Sequence, residues 1–457
     1  MRFKRIKNLH FVGIGGTGMC GIAEVLHNSG YKITGSDLKK TDTTEHLESL
    51  GIKIFYEHDG ANIKGSDVVV ISSAVGDENP EVSAARIDKI AIIRRAEMLA
   101  ELMRMKFSVA VAGTHGKTTT TSLIGHILRE GGLDPTVIVG GRVLGVGSNA
   151  YLGKGEYIVA EADEYDRSIT RFFATVAVIT NIEAEHMECY RDLEDLHDCF
   201  IQFGNRVPFY GTVILCTDDP GCQAIESHIT RPLITYGIKD KADFSALNIS
   251  FGDSGIQFKL LIKGKEDGEI KSPLLGYHNV QNILGSLAVA YDLEIPMKRA
   301  IAAVKTFSGV GRRLELAGDV NGIKFYDDYG HHFTEIKTTL QGLRSIFNGR
   351  LVAVFQPHLF SRTQRFYREF GGAFFDADML VVLDVFPSRE KPIDGVSGRM
   401  VVDAAMQQGH KDANYVADKS SLPDFMIERL QPGDRVVLFG AGDINRYTVK
   451  IIEKLKE

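Results

Sequence analysis

Gly113-Thr114-His115-Gly116-Lys117-Thr118-Thr119-Thr120 brings together the residue types that cradle a polyphosphate. Glycines let backbone N–H groups close around phosphate oxygens, a lysine adds charge, and a hydroxyl reaches a divalent ion. The stretch 107–112 before it reads as a buried strand, and an apolar-periodic helix follows over about 122–129. Strand, glycine turn, Lys-Thr and helix is the order an ATP loop requires. The strict spacing G-x-x-x-x-G-K-[ST] is broken, because Val111 stands where the first glycine belongs.

A second glycine loop lies near the start. Gly13-Ile14-Gly15-Gly16-Thr17-Gly18 follows a strand over 9–14 and opens a helix over 19–28. The next strand, 31–35, ends at Ser36-Asp37. Such a loop presents N–H groups to a diphosphate, and an acid at the next strand end binds a ribose or a base. NAD and a UDP-sugar both satisfy that description.

Acids gather at two further strand ends. A strand over 157–160 runs into Glu161-Ala162-Asp163-Glu164, where a carboxylate beside a phosphate loop holds Mg²⁺ directly or through water. Another, over 174–180, leads to Glu183, Glu185, His186 and Glu188, residues suited to a second metal site or to a solvated acidic loop. His186, Cys189, His197 and Cys199 follow no common zinc spacing, and phosphate chemistry wants oxygen ligands.

The elements that position these groups fall into three α/β blocks, in keeping with a prior of about three domains for 457 residues. Residues 1–106 keep a β-α rhythm, with further strands at 53–55 and 67–72. Residues 107–310 carry the Lys117 loop, strands at 213–216 and earlier, an alternating antiparallel stretch over 243–270, and a helix of little charge over 278–291. Residues 311–457 repeat the rhythm, with strands at 324–326, 350–355, 380–384 and 435–439. The fold class is therefore α/β in three domains: a Rossmann-like first domain, a central P-loop ATPase-like sheet with an antiparallel appendage, and a Rossmann-like C-terminal domain.

Composition narrows the function. The chain is 44% hydrophobic and 25% charged, enough for a full core. A net charge of −6 argues against a general nucleic-acid or anionic-membrane binder. Five cysteines without regular spacing do not form a disulfide framework. No apolar signal segment follows the basic start, and no run approaches the roughly 18 apolar residues needed to cross a bilayer. The expected compartment is the cytoplasm.

Taken in order, the motifs resemble one family, the Mur ligases, which add amino acids to UDP-muramic acid precursors of the bacterial wall. The resemblance runs through 10–19, 113–118 and 161–164, then Thr180-Asn181-Ile182 with 185–187 and Gly276-Tyr277-His278-Asn279-Val280-Gln281-Asn282. It continues through Gly311-Arg312-Arg313, Asp327-Asp328-Tyr329-Gly330-His331-His332, Gln356-Pro357-His358 and Ser361-Arg362-Thr363. It implies a UDP-sugar on the first domain at Gly15, Gly16, Thr17, Gly18, Asp37 and Ser72, with His358 also touching substrate. ATP would lie on Gly113, Thr114, Gly116, Lys117, Thr118 and Thr119, with Mg²⁺ on Thr118, Glu161 and His186. His278 and Asn282 would approach the adenine, Arg313 and Asp328 would bind nucleotide from the third domain, and His331 and Arg362 would lie near the reacting centre, with Lys117 also catalytic.

Within the family the residues favour addition of L-alanine to UDP-N-acetylmuramate, with attachment of a murein tripeptide as the alternative. The protein would be a monomer or homodimer. Several sister ligases support their metal with a carbamylated lysine in the central domain. No lysine lies between Lys154 and Lys239, which excludes that device here. Two local departures stand out. Phe333 follows the paired histidines where proline is usual, and Glu185 replaces the usual aspartate before His186.

Overall fold

The computed structural model describes residues 5–72, 74–140, 150–185, 187, 189–239, 241–252, 255–388 and 390–456, apart from the side chains of Thr17 and Asp166. The chain forms two compact units. The first comprises Met1–Ile249, Gln257–Ser272 and Val280–Ser308, the second Ser250–Ile256, Pro273–Asn279 and Gly309–Glu457.

The first sheet consists of β1 (Asn8–Val12), β2 (Lys32–Ser36), β3 (Lys53–Phe55), β4 (Val68–Ile71) and β5 (Ala91–Arg94), in the order β3-β2-β1-β4-β5. All its pairs are parallel. The order reverses at β1, so the crevice beyond the ends of β1 and β4 is the switch point where such sheets bind ligands. β1 stops at Val12, short of the expected Ile14, because Gly13 turns to φ +78°.

The second sheet has ten strands in the order β15-β14-β13-β12-β11-β10-β6-β9-β7-β8. These are β6 (Phe107–Ala112), β7 (Thr136–Ile138), β8 (Ala150–Tyr151), β9 (Tyr157–Glu161), β10 (Val176–Ile179), β11 (Thr212–Cys216), β12 (Leu233–Gly237), β13 (Phe244–Gly252), β14 (Gly255–Ile262) and β15 (Lys265–Ser272). The antiparallel appendage thus continues the nucleotide-binding sheet through β12. Lys263 and Gly264, at φ +49° and +76°, make the turn between β14 and β15, a conformation that matches strand twist.

The third sheet, in the second unit, contains β16 (Glu315–Val320), β17 (Ile323–Asp328), β18 (Leu351–Phe355), β19 (Met379–Leu383), β20 (Ala413–Val416) and β21 (Arg435–Phe439), in the order β16-β17-β21-β18-β19-β20. Both faces are buried, as a helix-covered parallel sheet requires. Leu351, Ala353 and Phe355 join Ile336 and Phe370 in one core cluster, while Val352 and Val354 join Ile444 and Ile451 in the other. β16 pairs antiparallel with β17 and was absent from the expected rhythm. Its run Glu-Leu-Ala-Gly-Asp-Val is half polar, as suits an edge strand.

The helix after the ATP-type loop spans Lys117–Glu130, starting earlier than the expected 122. Four threonines at 118–121 are poor helix formers, yet all are buried and the turn at Gly116 sets them in helical geometry. The helix seats against β7 at Gly125, where a Cβ would stand 2.6 Å from Val137 Cγ2. Gly125→Leu should therefore shift the helix that carries Lys117. A loss of about 1–3 kcal/mol in denaturant unfolding is expected for such overpacking.

Candidate active site

The first glycine loop is held from beneath by the end of β2. Gly13 N and Ile14 N both donate to Ser36 O, at 2.8 and 3.0 Å. Gly15 N donates to Asp37 Oδ2 at 2.9 Å, so Asp37 touches the loop it was expected to serve. Gly16 caps the helix Thr17–Asn28. A Cβ on Gly13 would lie 3.0 Å from Ser72 Oγ, which places Ser72 on the same crevice. Gly18 leaves room for Arg95, whose Nη1 would be 2.7 Å from a Cβ there. Arg95 also pairs with Asp163 at 3.7 Å, linking this loop to the acids after β9.

The Lys117 loop depends on glycine at two points. Gly113 has φ +135°, and a Cβ on it would come within 2.0 Å of Thr180 Oγ1. Gly116 has φ +81°, with Asn282 Oδ1 at 2.7 Å from its would-be Cβ. The segment after β10 braces the loop. Thr114 N donates to Asn181 O at 3.0 Å, His115 N to Asn181 Oδ1 at 2.7 Å, and Thr180 Oγ1 to His115 O at 2.7 Å. Asn282 accepts from Thr120 Oγ1 at 3.1 Å, so it meets the loop itself.

Lys117 Nζ donates to Glu164 Oε2 at 2.9 Å and Oε1 at 3.1 Å, and to Thr114 O at 3.2 Å. Burial alone would push the ammonium's pKa down. The carboxylates of Glu164 and Asp163 outweigh that and hold it above its ordinary range. Glu161 Oε1 accepts from Gly140 N at 2.9 Å. Thr118, the second residue of the helix Lys117–Glu130, is buried. His186 lies outside the described residues, and among those described no cluster of three or more His, Cys, Asp or Glu could hold a metal ion.

In the second unit, β17 ends in Asp327-Asp328. Arg312 Nε donates to Asp327 Oδ2 at 3.2 Å and its Nη2 to Gly440 O at 2.6 Å, so Arg312 is anchored within its own domain. Asp328 accepts from Leu314 N at 2.9 Å and Gly330 N at 2.7 Å; burial raises its pKa to about 6 against the pull of Arg313. Arg313 Nη1 reaches Glu335 Oε1 at 3.3 Å.

His331 and His358 approach edge to face, ring centroids 5.9 Å apart. His331 Nδ1 lies 3.1 Å from Tyr329 O, a contact that requires the Nδ1–H tautomer and turns Nε2 into an acceptor. Burial depresses its pKa to about 3; Glu335 opposes the shift, and Arg362 adds to it. Arg362 Nη1 is buried without a hydrogen-bond partner, a cation prepared for an anion. His332 has a different role. It caps the helix Phe333–Arg344 and packs on Phe333, with centroids 4.0 Å apart, and on Phe366. Phe333 occupies the first helical position, the place that also tolerates proline, so the departure leaves the turn intact. His278 belongs to the second unit, where its Nε2 lies 3.1 Å from Asn279 Nδ2.

Three family models match the chain in order: the Mur ligase family catalytic domain over residues 8–107, the Mur ligase middle domain over 111–290, and the Mur ligase glutamate ligase domain over 312–442. The chain belongs to the Mur ligase family. It is 48% identical to the UDP-N-acetylmuramate–L-alanine ligase of Geotalea uraniireducens, with 99% of each chain covered. The Salinibacter ruber enzyme of the same name is 49% identical, with 99% of this chain and 96% of that one covered. Among solved structures, the UDP-N-acetylmuramate–alanine ligase of Thermotoga maritima aligns with a TM-score of 0.85 at 29% identity over 99% of both chains. A murein peptide ligase from Psychrobacter arcticus shares the fold, with a TM-score of 0.73 at 24% identity over 98% of both chains.

The structure gathers the expected Mur ligase residues into three groups. Gly15, Gly16, Gly18, Asp37 and Ser72 meet at the first loop, with Thr17 there by its backbone. Gly113, Thr114, Gly116, Lys117 and Asn282 meet at the second, followed in the helix by Thr118 and Thr119. His331, His358, Arg362, Arg313 and Asp328 lie in the second unit. Glu164, known from the sequence only as part of the acidic run, and Arg95 are the unexpected members of the site. The need of a largely shielded lysine for a counter-ion is the signal that singles out Glu164.

His331 stays neutral in the folded chain while an unfolded histidine titrates near its ordinary value. As pH falls from about 6.5 toward 3, the unfolded state gains a proton that the folded state refuses, so this residue costs stability on acidification. His331→Asn should lose about 1–2 kcal/mol less than the parent chain between pH 7 and pH 5, read from denaturant unfolding at each pH.

Proposed function

We propose that the chain joins L-alanine to the lactyl carboxylate of UDP-N-acetylmuramate, converting ATP to ADP and phosphate, as a cytoplasmic step of peptidoglycan precursor synthesis. The observation that carries this reading is full-length identity near one half to ligases with that name, over a chain that has both glycine loops in built form. The first loop is assigned to the UDP-sugar rather than to NAD. Residues 1–106 would bind that sugar, 107–310 ATP, and 311–457 the amino acid and part of the nucleotide. No described helix is long and apolar enough to cross a membrane.

A carboxylate is a poor electrophile, and forming an amide in water is uphill. In this reading the lactyl oxygen bonds to the γ-phosphorus while the bond to the β,γ-bridging oxygen breaks, releasing ADP. Lys117 exchanges Glu164 for phosphate oxygens in that step. The alanine amine then attacks the acyl carbon, and the carbon–oxygen bond to phosphate breaks. Arg362 binds an anion, either the alanine carboxylate or the acyl phosphate. His331, through Nε2, accepts a hydrogen bond from the amine and orients its lone pair. A ring held near pKa 3 is a weak base, so the departing phosphate takes the proton and His331 is a positioning group.

Thr118, Glu161 and His186 would hold Mg²⁺ shared with phosphates, the hydroxyl and the carboxylate supplying the hard oxygen donors that this ion prefers. The ion, when bound, neutralises phosphate charge. In the same reading His278 is assigned to the adenine, and Arg313 with Asp328 to the nucleotide.

ADP release measured with UDP-N-acetylmuramate, L-alanine and ATP, omitting each in turn, tests the assignment. Turnover without the UDP-sugar, or only with a murein tripeptide in place of alanine, would overturn it. Removing Lys117 alone strands a buried carboxylate, so Lys117→Met should cost about 3–5 kcal/mol of stability. Pairing it with Glu164→Gln should restore most of that stability. Turnover of the double variant should still be down by at least about a hundredfold.

A further inference from the structure

Beneath the first glycine loop lies a polar cluster that the reaction does not use. Glu81, in the first turn of the helix Pro80–Ile87, is fully buried. Its Oε2 accepts from Ser36 Oγ at 2.6 Å and lies 3.0 Å from His58 Nδ1. Its Oε1 accepts from Asn62 Nδ2 at 2.8 Å and stands 3.3 Å from His10 Nε2. His10, equally buried on β1, reaches Thr34 Oγ1 at 2.8 Å through Nδ1. Burial alone would raise the Glu81 pKa, yet the bonds from His10, Ser36 and Asn62 keep it below the usual carboxylate range. A buried charge is costly where a valine would pack, as β4 with its Val68-Val69-Val70-Ile71 demonstrates next door.

We propose that Glu81 is a positioning residue for the UDP-sugar. It fixes Ser36, whose carbonyl takes the N–H groups of Gly13 and Ile14, and so sets both the loop's height and the start of Asp37. The N–H groups of Gly13, Ile14, Gly15 and Gly16 are thereby committed to Ser36 O, Asp37 Oδ2 and Gly13 O, which fixes the path of the loop into the helix that starts at Thr17. The proposal rests on the reading that this loop receives the UDP-sugar.

The test uses the full chain. Glu81→Gln should raise the KM for UDP-N-acetylmuramate about tenfold, the worth of a hydrogen bond to a charged group. The kcat and the KM values for ATP and L-alanine should stay within about twofold, since the altered bond lies under the first loop alone. Ser36→Ala removes the hydroxyl that joins Glu81 to β2, together with its contact to His58 Nδ1, and should give the same selective rise at about threefold. If Glu81→Gln does not fold, Ser36→Ala decides. An unchanged KM for the UDP-sugar, or a parallel change of all KM values with the melting temperature, overturns the proposal. Calorimetric titration of the unaltered chain with UDP-N-acetylmuramate separates the two levels: no binding there overturns the site assignment itself.

Discussion

Lys117 carries its ammonium at the start of a helix, where the aligned peptide dipoles already place positive charge. Two like charges close together, both largely shielded from water, call for an anion. Glu164 supplies it from the segment after β9, and the loop carbonyls of Gly113 and Thr114 complete the shell. Much of the central sheet follows from that demand. The strand order places β9 beside β6, so the acid run and the glycine loop emerge from adjacent strands. β10 flanks β6 on the other side and sends Thr180 and Asn181 under the loop. In the proposed reading a polyphosphate would meet a cation that Glu164 and the loop carbonyls already hold in place, and would replace one anion by another.

The third sheet solves a related problem with different groups. Asp327 and Asp328 end β17 side by side and are both largely buried, yet their partners differ in kind. Asp327 pairs with Arg312, which also ties down the turn at Gly440, and the pair serves the domain's own geometry. Asp328 relies on backbone N–H groups and the more distant Arg313, which leaves its pKa near 6 and leaves Arg313 the less committed cation. Nearby, burial strips His331 of basicity while the Tyr329 carbonyl dictates its tautomer. His331 and Arg362 Nη1 thus offer an acceptor nitrogen and a buried donor without a partner, the pair to which the proposed function assigns the amine and an anion.

Chemistry-bearing glycines, acids and basic residues were legible in the sequence because each occupies a strand-to-helix turn, where composition changes abruptly. The α/β class was legible for the same reason, through strands such as Leu351–Phe355 whose every residue is apolar and buried. Edge strands were harder. β16 and the short β5, β8 and β20 bury only part of their surface and carry no clear alternation. The start of the Lys117 helix was misjudged because threonine propensity points away from helix, whereas the glycine turn and tertiary burial prevail. The two histidines at 331 and 332 are indistinguishable as letters. Only the packing of His332 on Phe333 and Phe366 shows that one ring belongs to the core.

The two glycine loops of the first unit share a device that no single motif reveals. Each rests near a buried glutamate, Glu81 under the first and Glu164 beside the second. Their partners determine what each can do. Glu81 is surrounded by a hydroxyl, an amide and two imidazoles that belong to three separate segments of the domain, so its contacts hold those segments in register. Glu164 is bound chiefly to one ammonium, the group for which a phosphate would compete under the proposed function. A network of many short polar contacts favours a fixed geometry, while a single strong pair favours exchange. Under the proposed function, the first loop would be a rigid seat and the second a site whose resting anion would give way to its substrate.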